Sequence, residues 1–195
     1  MTRRTVAATA LVAAFAFAAP AQGAVDLDNL NPPPPDFYTC TAIGSGAVCH
    51  GSTAGGHVGG EDGSCPQGFG ILEDAFTYET AKRVYNRDGD LVERVLHSHW
   101  PHDPRNIIYN SVTGKSVPYW GSGTERDTFT EPGDFDSMVA RTSGNGYTVT
   151  VPGAGLLIKD AGRLDFGADG GVTEMRGPKM LFLGETEKLC AVLAS

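Results

Sequence analysis

Six dipeptides with turn-forming chemistry divide the chain between residues 88 and 170 into short segments, and this spacing limits the folds available to it. Each dipeptide supplies a residue that tolerates a positive φ angle or fixes a turn. No window before residue 184 shows a sustained apolar period of 3.6 residues. Strands joined by such short loops must be antiparallel neighbours, so the sequence predicts a meander. The dipeptides are Asp88-Gly89, Thr113-Gly114, Pro132-Gly133, Asn145-Gly146, Pro152-Gly153 and Asp169-Gly170.

Twelve β-strands are predicted from runs of β-branched, aromatic and alternating residues. A meander of this length has two exposed edges unless it closes, and closure is the usual remedy. We therefore predict an all-β fold, an antiparallel up-and-down β-barrel, with a β-sandwich as the alternative. The predicted strands are residues 37–43, 47–51, 70–85, 91–100, 105–110, 116–119, 126–130, 135–141, 147–151, 156–160, 163–166 and 172–176.

Two segments do not follow the strand pattern. Residues 51–70 contain eight glycines, so we predict an irregular loop there. Near the C-terminus, Leu189, Val192 and Leu193 recur at helical spacing. This spacing predicts a short amphipathic helix within residues 185–195 that packs on the barrel.

The first 24 residues have the order of regions that is typical of a secretory signal peptide. Arg3 and Arg4 form a basic start, and residues 6–19 are an alanine-rich apolar run. This run is too short to span a bilayer, and no later segment is long enough. We predict a signal peptide over residues 1–24, a proline-rich tether over 25–36 and one β-barrel domain over 37–195, in a secreted protein without a membrane span.

The charge of the chain argues against nucleic acid as a partner. The formal charge is -8 at pH 7. Removal of the signal peptide takes away Arg3 and Arg4, so 15 Lys and Arg become 13 against 23 Asp and Glu, and the charge becomes -10. A chain this acidic is repelled by phosphate backbones.

Four cysteines, an even number in an exported chain, predict two disulfide bonds. If residues 44–45 form a two-residue turn, Cys40 and Cys49 lie opposite each other in a hairpin, which leaves Cys65 to bond Cys190. The pairing of Cys49 with Cys65 and of Cys40 with Cys190 stays open as an alternative. No Cys-x-x-Cys spacing points to a metal site.

The turn at residues 87–89 determines which side chains face each other in the hairpin around it. A three-residue turn pairs Asn86 with Asp90 and places Arg83 opposite Glu93. A two-residue turn instead places Arg83 opposite Arg94, a like-charge pair that is unfavourable. We therefore predict the three-residue turn.

Three of the five histidines lie within six positions, at 97, 99 and 102. In the predicted register, Glu79, His97 and His99 share one face of the hairpin. His-x-His on a strand with a nearby carboxylate can begin a zinc or copper site, so these three residues are the candidate metal ligands. However, the other face carries most of the apolar side chains. The favoured interpretation is therefore a solvated polar face, with no metal or other cofactor.

No catalytic motif is present in the sequence. It contains no Gly-x-Ser-x-Gly, no His-Glu-x-x-His and no phosphate-binding loop. Adjacent carboxylates occur as Glu61-Asp62 and Glu73-Asp74, but neighbouring residues of a strand point to opposite faces. No catalytic residue is predicted, and the sequence favours a function other than catalysis.

Three segments together resemble a group of uncharacterised small secreted β-rich proteins of actinobacteria. They are residues 85–95 (YNRDGDLVERV), 113–119 (TGKSVPY) and 151–163 (VPGAGLLIKDAGR). The resemblance extends over most of the mature chain, from about residue 38 to residue 193, and it implies no catalytic residues. The architecture is also similar to the barrels of lipocalins and allene oxide cyclases, which does not by itself imply a function.

Our first hypothesis is a disulfide-stabilised barrel that binds a small apolar or amphipathic ligand in its lumen. Its alternatives are a protein that interacts with a partner of unknown identity at the cell envelope, and an enzyme. The enzyme is either a barrel cyclase or isomerase, or a metal-dependent enzyme that uses His97 and His99. The candidate residues for the ligand lining, which ordinary core packing explains equally well, are Phe76, Tyr78, Leu96, Trp100, Tyr119, Trp120 and Phe129.

Overall fold

A computed structural model describes residues 24–195. The predicted signal peptide, apart from residue 24, lies outside the described residues. The described chain forms one antiparallel sheet of ten strands, two short 3-10 turns and a C-terminal helix. The strands are β1 (Tyr38–Ile43), β2 (Gly46–Ser64), β3 (Gly70–Tyr85), β4 (Leu91–Trp100), β5 (Ile107–Asn110), β6 (Ser116–Pro118), β7 (Trp120–Phe129), β8 (Met138–Val151), β9 (Gly155–Phe166) and β10 (Val172–Arg176). The helix is α1 (Glu187–Ala194).

The sheet is not closed into a barrel, so the predicted barrel is wrong in this respect. Its main path runs β1-β2-β3-β4-β7-β8-β9-β10, with β1 and β10 at its two ends. The hairpin of β5 and β6 leaves this path and pairs with the first half of β3. One sheet also excludes the alternative of a sandwich. Helix α1 packs in one apolar cluster of the inner face and the segment before β1 in another, so much apolar surface is buried without closure.

Several strands are longer than the sequence indicates. Strands β8 and β9 each unite two predicted strands, and Asn145-Gly146 lies at a bulge inside β8 where we predicted a turn. Strand β2 continues to Ser64 through the glycine-rich segment that we predicted as a loop. Its pairing with β3 shifts register between His57 and Gly60 and again between Glu61 and Gly63. Glycine accommodates such bulges at low cost, so the segment pairs despite its composition.

The hairpin of β1 and β2 and both disulfide bonds form as first predicted. Ile43 pairs with Gly46 across a two-residue loop, and Cys40 lies opposite Cys49. These two cysteines are bonded, and Cys65 is bonded to Cys190, which joins helix α1 to the segment after β2. Two disulfides indicate that the protein folds in an oxidising compartment. Among residues 24–195, no helix has the length and apolar character needed to cross a bilayer.

Two apolar clusters occupy opposite ends of the inner face of the sheet. The larger cluster lies under helix α1 and includes Ile71, Ile108, Val149, Leu189 and Leu193, all of which are fully buried. The smaller cluster forms around Tyr85 and Leu91 at the other end. A polar zone that contains the buried carboxylate of Asp127 separates them.

Residues 25–36, which we predicted as a tether, are attached to the smaller cluster. Leu30 is 4% exposed and belongs to that cluster. Asn31 forms a bridge with Asp90 beside the hairpin turn. The carbonyl of Pro32 accepts a hydrogen bond from the Tyr85 hydroxyl at 2.9 Å. The proline segment therefore covers part of the sheet and does not extend away from it.

The hairpin of β3 and β4 begins in the predicted register and then changes it. The Asn86 amide donates to the Asp90 carbonyl at 2.8 Å, and Gly89 has φ +90, as a three-residue turn requires. Tyr85 pairs with Leu91, but the next pair is Val84 with Glu93, so Val92 is an extra residue in β4. This bulge reverses the two faces of β4 relative to β3 for the rest of the hairpin.

Because of the bulge, Arg83 lies opposite Arg94 and not opposite Glu93 as predicted. Each guanidinium has its own partners, which is why the like-charge pair is tolerated. Arg94 donates to Asp127 at 2.5 Å and to Glu125 at 2.7 Å. Arg83 lies over the ring of Tyr38, 5.2 Å from its centroid.

Candidate functional site

The three candidate metal ligands do not converge. His97 and His99 are exposed on the outer face, where they pair with Thr80 and Tyr78. Glu79 pairs with Ser98 and points to the inner face, because the bulge in β4 shifts its partner by one position. Nowhere in residues 24–195 do three His, Cys, Asp or Glu side chains form a group that could hold a metal ion. The predicted grouping of these three residues is therefore wrong.

The seven predicted lining residues are divided between the two faces of the sheet. Phe76, Tyr78 and Trp120 lie on the outer face, where Tyr78 is 51% exposed. Tyr119 and Phe129 are buried within the two apolar clusters. With the sheet open, no lumen exists for the seven to surround. The two that lie together at an inner-face pocket are Leu96 and Trp100.

This inner-face pocket has a volume of about 170 Å³ and lies above strands β4, β7 and β8. Leu96 and the indole of Trp100 form its apolar walls. Its floor is bare backbone at Gly123 and Gly144, which pair across β7 and β8. A Cβ atom on Gly123 would lie 3.9 Å from the Trp100 ring, in ordinary contact, so glycine leaves there a space that a side chain could fill. The complete lining is Leu96, Ser98, Trp100, Gly123, Thr124, Glu125, Thr142, Ser143, Gly144, Gly146 and Lys179.

Lys179 supplies the positive charge of the pocket. The residue is 7% exposed, and it makes no ion pair with any residue of the described chain. Its backbone is fixed by a bridge to Asp160 and by the hydrogen bond from the Leu183 amide to its carbonyl at 2.8 Å. The other charged residue of the lining is Glu125, which accepts a hydrogen bond from Arg94. Burial raises the pKa of Glu125, and the carboxylate of Asp127 raises it further.

A second group of polar side chains lies on the far side of Trp100. The rings of Trp100 and Tyr147 are stacked, with 6.1 Å between their centroids. The Tyr147 hydroxyl donates to the carboxylate of Glu73, 3.1 Å from each oxygen. Glu73 is 5% exposed, and its carboxylate lies 3.5 Å from His57 Nε2. We call Glu73, Tyr147, His57, Asp62 and Tyr119 the acid–phenol cluster.

Two polar atoms of the acid–phenol cluster are buried without a hydrogen-bond partner among the described residues. They are Oδ2 of Asp62 and the hydroxyl of Tyr119. Burial raises the pKa of Asp62 to about 6, and the Glu73 carboxylate contributes to the rise. Burial also raises the pKa of Tyr119 and Tyr147 far above the ordinary value, again with a contribution from Glu73. Both phenols therefore keep their protons at neutral pH, whereas Asp62 loses its proton as the pH rises through about 6.

The sequence analysis did not identify the acid–phenol cluster, Lys179 or the glycine floor. It predicted that Asp62 lies in a loop. As expected, however, the two side chains of Glu61-Asp62 and of Glu73-Asp74 point to opposite faces, so one carboxylate of each pair is directed inward. The approach of Asp62 to Glu73 depends on the register shifts between β2 and β3. No signal in the sequence predicts these shifts, since the glycines that permit them also suit a loop.

Comparison of the chain with family models, with curated proteins and with solved structures finds no match.

Proposed function

We propose that the protein is a secreted binding protein that takes a small ring-bearing anion, such as an aromatic carboxylate, into the inner-face pocket. The observation that carries this proposal is the placement of Lys179, a nearly buried cation without a carboxylate partner in the described chain, at a pocket with apolar walls. Apolar pockets with a few convergent polar groups are the usual form of small-molecule sites.

The size of the pocket supports a ligand with one ring. A volume of about 170 Å³ is close to the roughly 150 Å³ of an apolar cavity that accommodates benzene. The flat glycine floor and the indole of Trp100 favour a planar ligand, because aromatic rings pack well in offset or edge arrangements. The volume of the pocket matches one aromatic ring, and a longer ligand would extend out of it into solvent.

The charge of the pocket supports an anionic group on the ligand. Lys179 is 7% exposed, and a positive charge that is mostly removed from water is favoured by an anionic partner. A ligand carboxylate at Lys179 provides that pair, while Glu125 already interacts with Arg94 and leaves Lys179 available. The apolar ring and the carboxylate together refine the apolar or amphipathic ligand expected from the sequence.

The place of action that we propose is outside the cytoplasm. Two disulfides and the predicted signal peptide support export. The resemblance to small secreted proteins of actinobacteria supports the same location. A binding protein in this location meets ligands released by its own cell or by its surroundings.

Quenching of Trp100 fluorescence by benzoate tests the proposal. The chain has two tryptophans, so a Trp120→Phe background leaves Trp100 as the only reporter. We expect saturable quenching in the millimolar range or tighter, which is reasonable for a ligand of nine heavy atoms. Lys179→Met is expected to weaken benzoate binding about tenfold and to leave the binding of neutral benzyl alcohol unchanged.

Gly123→Ala tests the same proposal by filling part of the pocket with a methyl group. The methyl group enters the pocket beside Trp100 without a close contact, so the fold is retained and benzoate binding is lost. Ser122→Ala, on the outer face of the same strand, is the matched control and is expected to bind normally. Equal benzoate binding by Gly123→Ala and the parent protein would contradict the proposal, as would no saturable quenching in the parent.

A further inference from the structure

The outer face of the sheet has a charge opposite to that of the whole chain. We call a line of residues that pair with one another across successive strands a row. Three neighbouring rows on this face contain five Lys or Arg and three Asp or Glu, an excess of two positive charges. The whole chain carries a charge of -8. His50 and His97 lie in the same rows. The charged residues are Lys82, Arg126, Arg141, Arg163, Arg176, Glu93, Asp165 and Glu174.

All three carboxylates of these rows are already paired. Glu93 forms an ion pair with Arg126. Asp165 pairs with Arg141 and Arg163, and Glu174 pairs with Arg163 and Arg176. Lys82 is the cation of these rows that has no ion pair within residues 24–195, and it stands between His50 and Val95 in its row. Lys82 therefore carries one of the two excess positive charges, and the second belongs to the network in which three arginines share Asp165 and Glu174.

Lys82 lies in a groove of the outer face that has a volume of about 780 Å³. His50, His97 and Arg126 also line this groove. We propose that the groove binds an acidic polysaccharide, with a carboxylate of the polymer at Lys82. This site lies on the opposite face from the pocket for the ring-bearing anion and does not depend on that proposal.

The rest of the groove has the surface chemistry that a sugar chain requires. Hydroxyl groups of Thr39, Ser52 and Thr80 line it and can both donate and accept hydrogen bonds. Phe37 stands at one end with 52% of its surface exposed, and its ring offers an apolar surface to the C–H face of a sugar. The groove is open to solvent, so a polymer can lie in it without threading through an enclosed channel.

The overall charge favours a polysaccharide over nucleic acid as the polyanion. A duplex carries one charge for about every 1.7 Å of its axis, and it would extend past the small positive area onto acidic surface. A carboxylated polysaccharide carries fewer charges for its length and can place one at Lys82. Its hydroxyl groups also match those of the groove.

The experiment is a binding titration with carboxymethyl dextran, with unmodified dextran as the matched neutral polymer. We expect the full mature protein to bind carboxymethyl dextran, more weakly as salt increases, and to bind unmodified dextran at least about tenfold less tightly. Lys82→Gln is expected to weaken binding of the carboxylated polymer about tenfold. Lys188→Gln removes the same charge from the exposed surface of helix α1, and it is expected to bind as the parent protein does.

Four results would overturn this proposal. They are equal binding by Lys82→Gln and the parent protein, equal loss in Lys188→Gln, equal binding of the two dextrans, and tighter binding of duplex DNA than of carboxymethyl dextran. Folding of the variant is checked by urea denaturation, whose midpoint should be the same for Lys82→Gln and the parent protein, and the variant should also retain benzoate binding. Conversely, Gly123→Ala should retain binding to carboxymethyl dextran, so failure of one proposal leaves the other open to its own test.

Discussion

The two faces of the central sheet differ in how they treat charged groups. On the inner face, Arg94 and Asp127 form an ion pair in which the Asp127 side chain has no exposed surface. On the outer face, Glu93 and Arg126 also form an ion pair, but the Arg126 side chain is 59% exposed. Neighbouring residues of the same strands thus place similar pairs in different surroundings. This difference shows that the contribution of an ion pair to the stability of the fold depends on how deeply the pair is buried.

The largest effect that follows from this comparison is expected at Asp127. Asp127→Ala leaves Arg94 in the polar zone with Glu125 as its remaining partner, and we expect a loss of about 3 kcal/mol in the free energy of unfolding. Glu93→Ala removes the corresponding carboxylate of the outer pair and is expected to cost about 0.5 kcal/mol. Urea denaturation of the two variants measures both values. Equal losses would show that the inner pair has no special dependence on burial.

A smaller, pH-dependent effect is expected at Asp62. Burial raises its pKa from 3.8 to about 6 in the folded protein. Because the folded state binds this proton more tightly, the contribution to stability is complete below pH 3.8 and is lost as the pH rises through 6. The rise corresponds to at most about 3 kcal/mol, and solvent screening of this partly exposed carboxyl reduces it to about 1 kcal/mol.

In the Asp62→Asn variant, the side chain at position 62 carries no charge at any of these pH values. The variant should therefore not lose stability as the pH rises through 6. We expect the variant to be about 1 kcal/mol more stable than the parent above about pH 7 and equally stable near about pH 4. Glu61→Gln is the matched control, because Glu61 is exposed and points to the other face. A gain in Asp62→Asn that stays constant from acidic to neutral pH would show that the carboxyl has an ordinary pKa.

The smallest effect is expected on the outer face at the histidines. Both imidazoles are exposed, and the hydrogen-bond contact between His97 Nδ1 and Thr124 Oγ1 at 2.8 Å lies at the surface. The double variant His97→Ala, His99→Ala should change the free energy of unfolding by less than about 0.5 kcal/mol. Addition of Zn²⁺ should leave the Tm of the parent protein unchanged. A zinc-dependent rise in Tm that the double variant lacks would show that these residues bind metal.

Features that depend on a few neighbouring residues were predictable from the sequence. The turns at residues 44–45 and 87–89, the pairing of Cys40 with Cys49 and the C-terminal helix are all confirmed. A turn or a short helix is specified by its own backbone preferences and by side chains a few positions away. The strand content is also correct, because alternation and β-branched residues indicate strands whatever their neighbours are.

Features that depend on the matching of distant segments were not predictable. The bulge at Val92 reversed one face of the β3–β4 hairpin, so that Glu79 separated from His97 and His99. The same bulge put Leu96 on the face opposite to Phe76. A shift of one residue exchanges the two faces of a strand, so an error at one position carries through every residue beyond it.

By itself, the sequence determined an antiparallel β protein with two disulfides, paired as Cys40–Cys49 and Cys65–Cys190 in the favoured alternative. It did so because turns, strand periodicity and hairpin geometry are local. Only the tertiary structure decided that the sheet stays open and that Lys179 and Trp100 line one pocket with two glycines. Those outcomes depend on which distant strands pair and at which residue their registers shift. The free energies that choose among such pairings are summed over the whole sheet, so no single segment contains them.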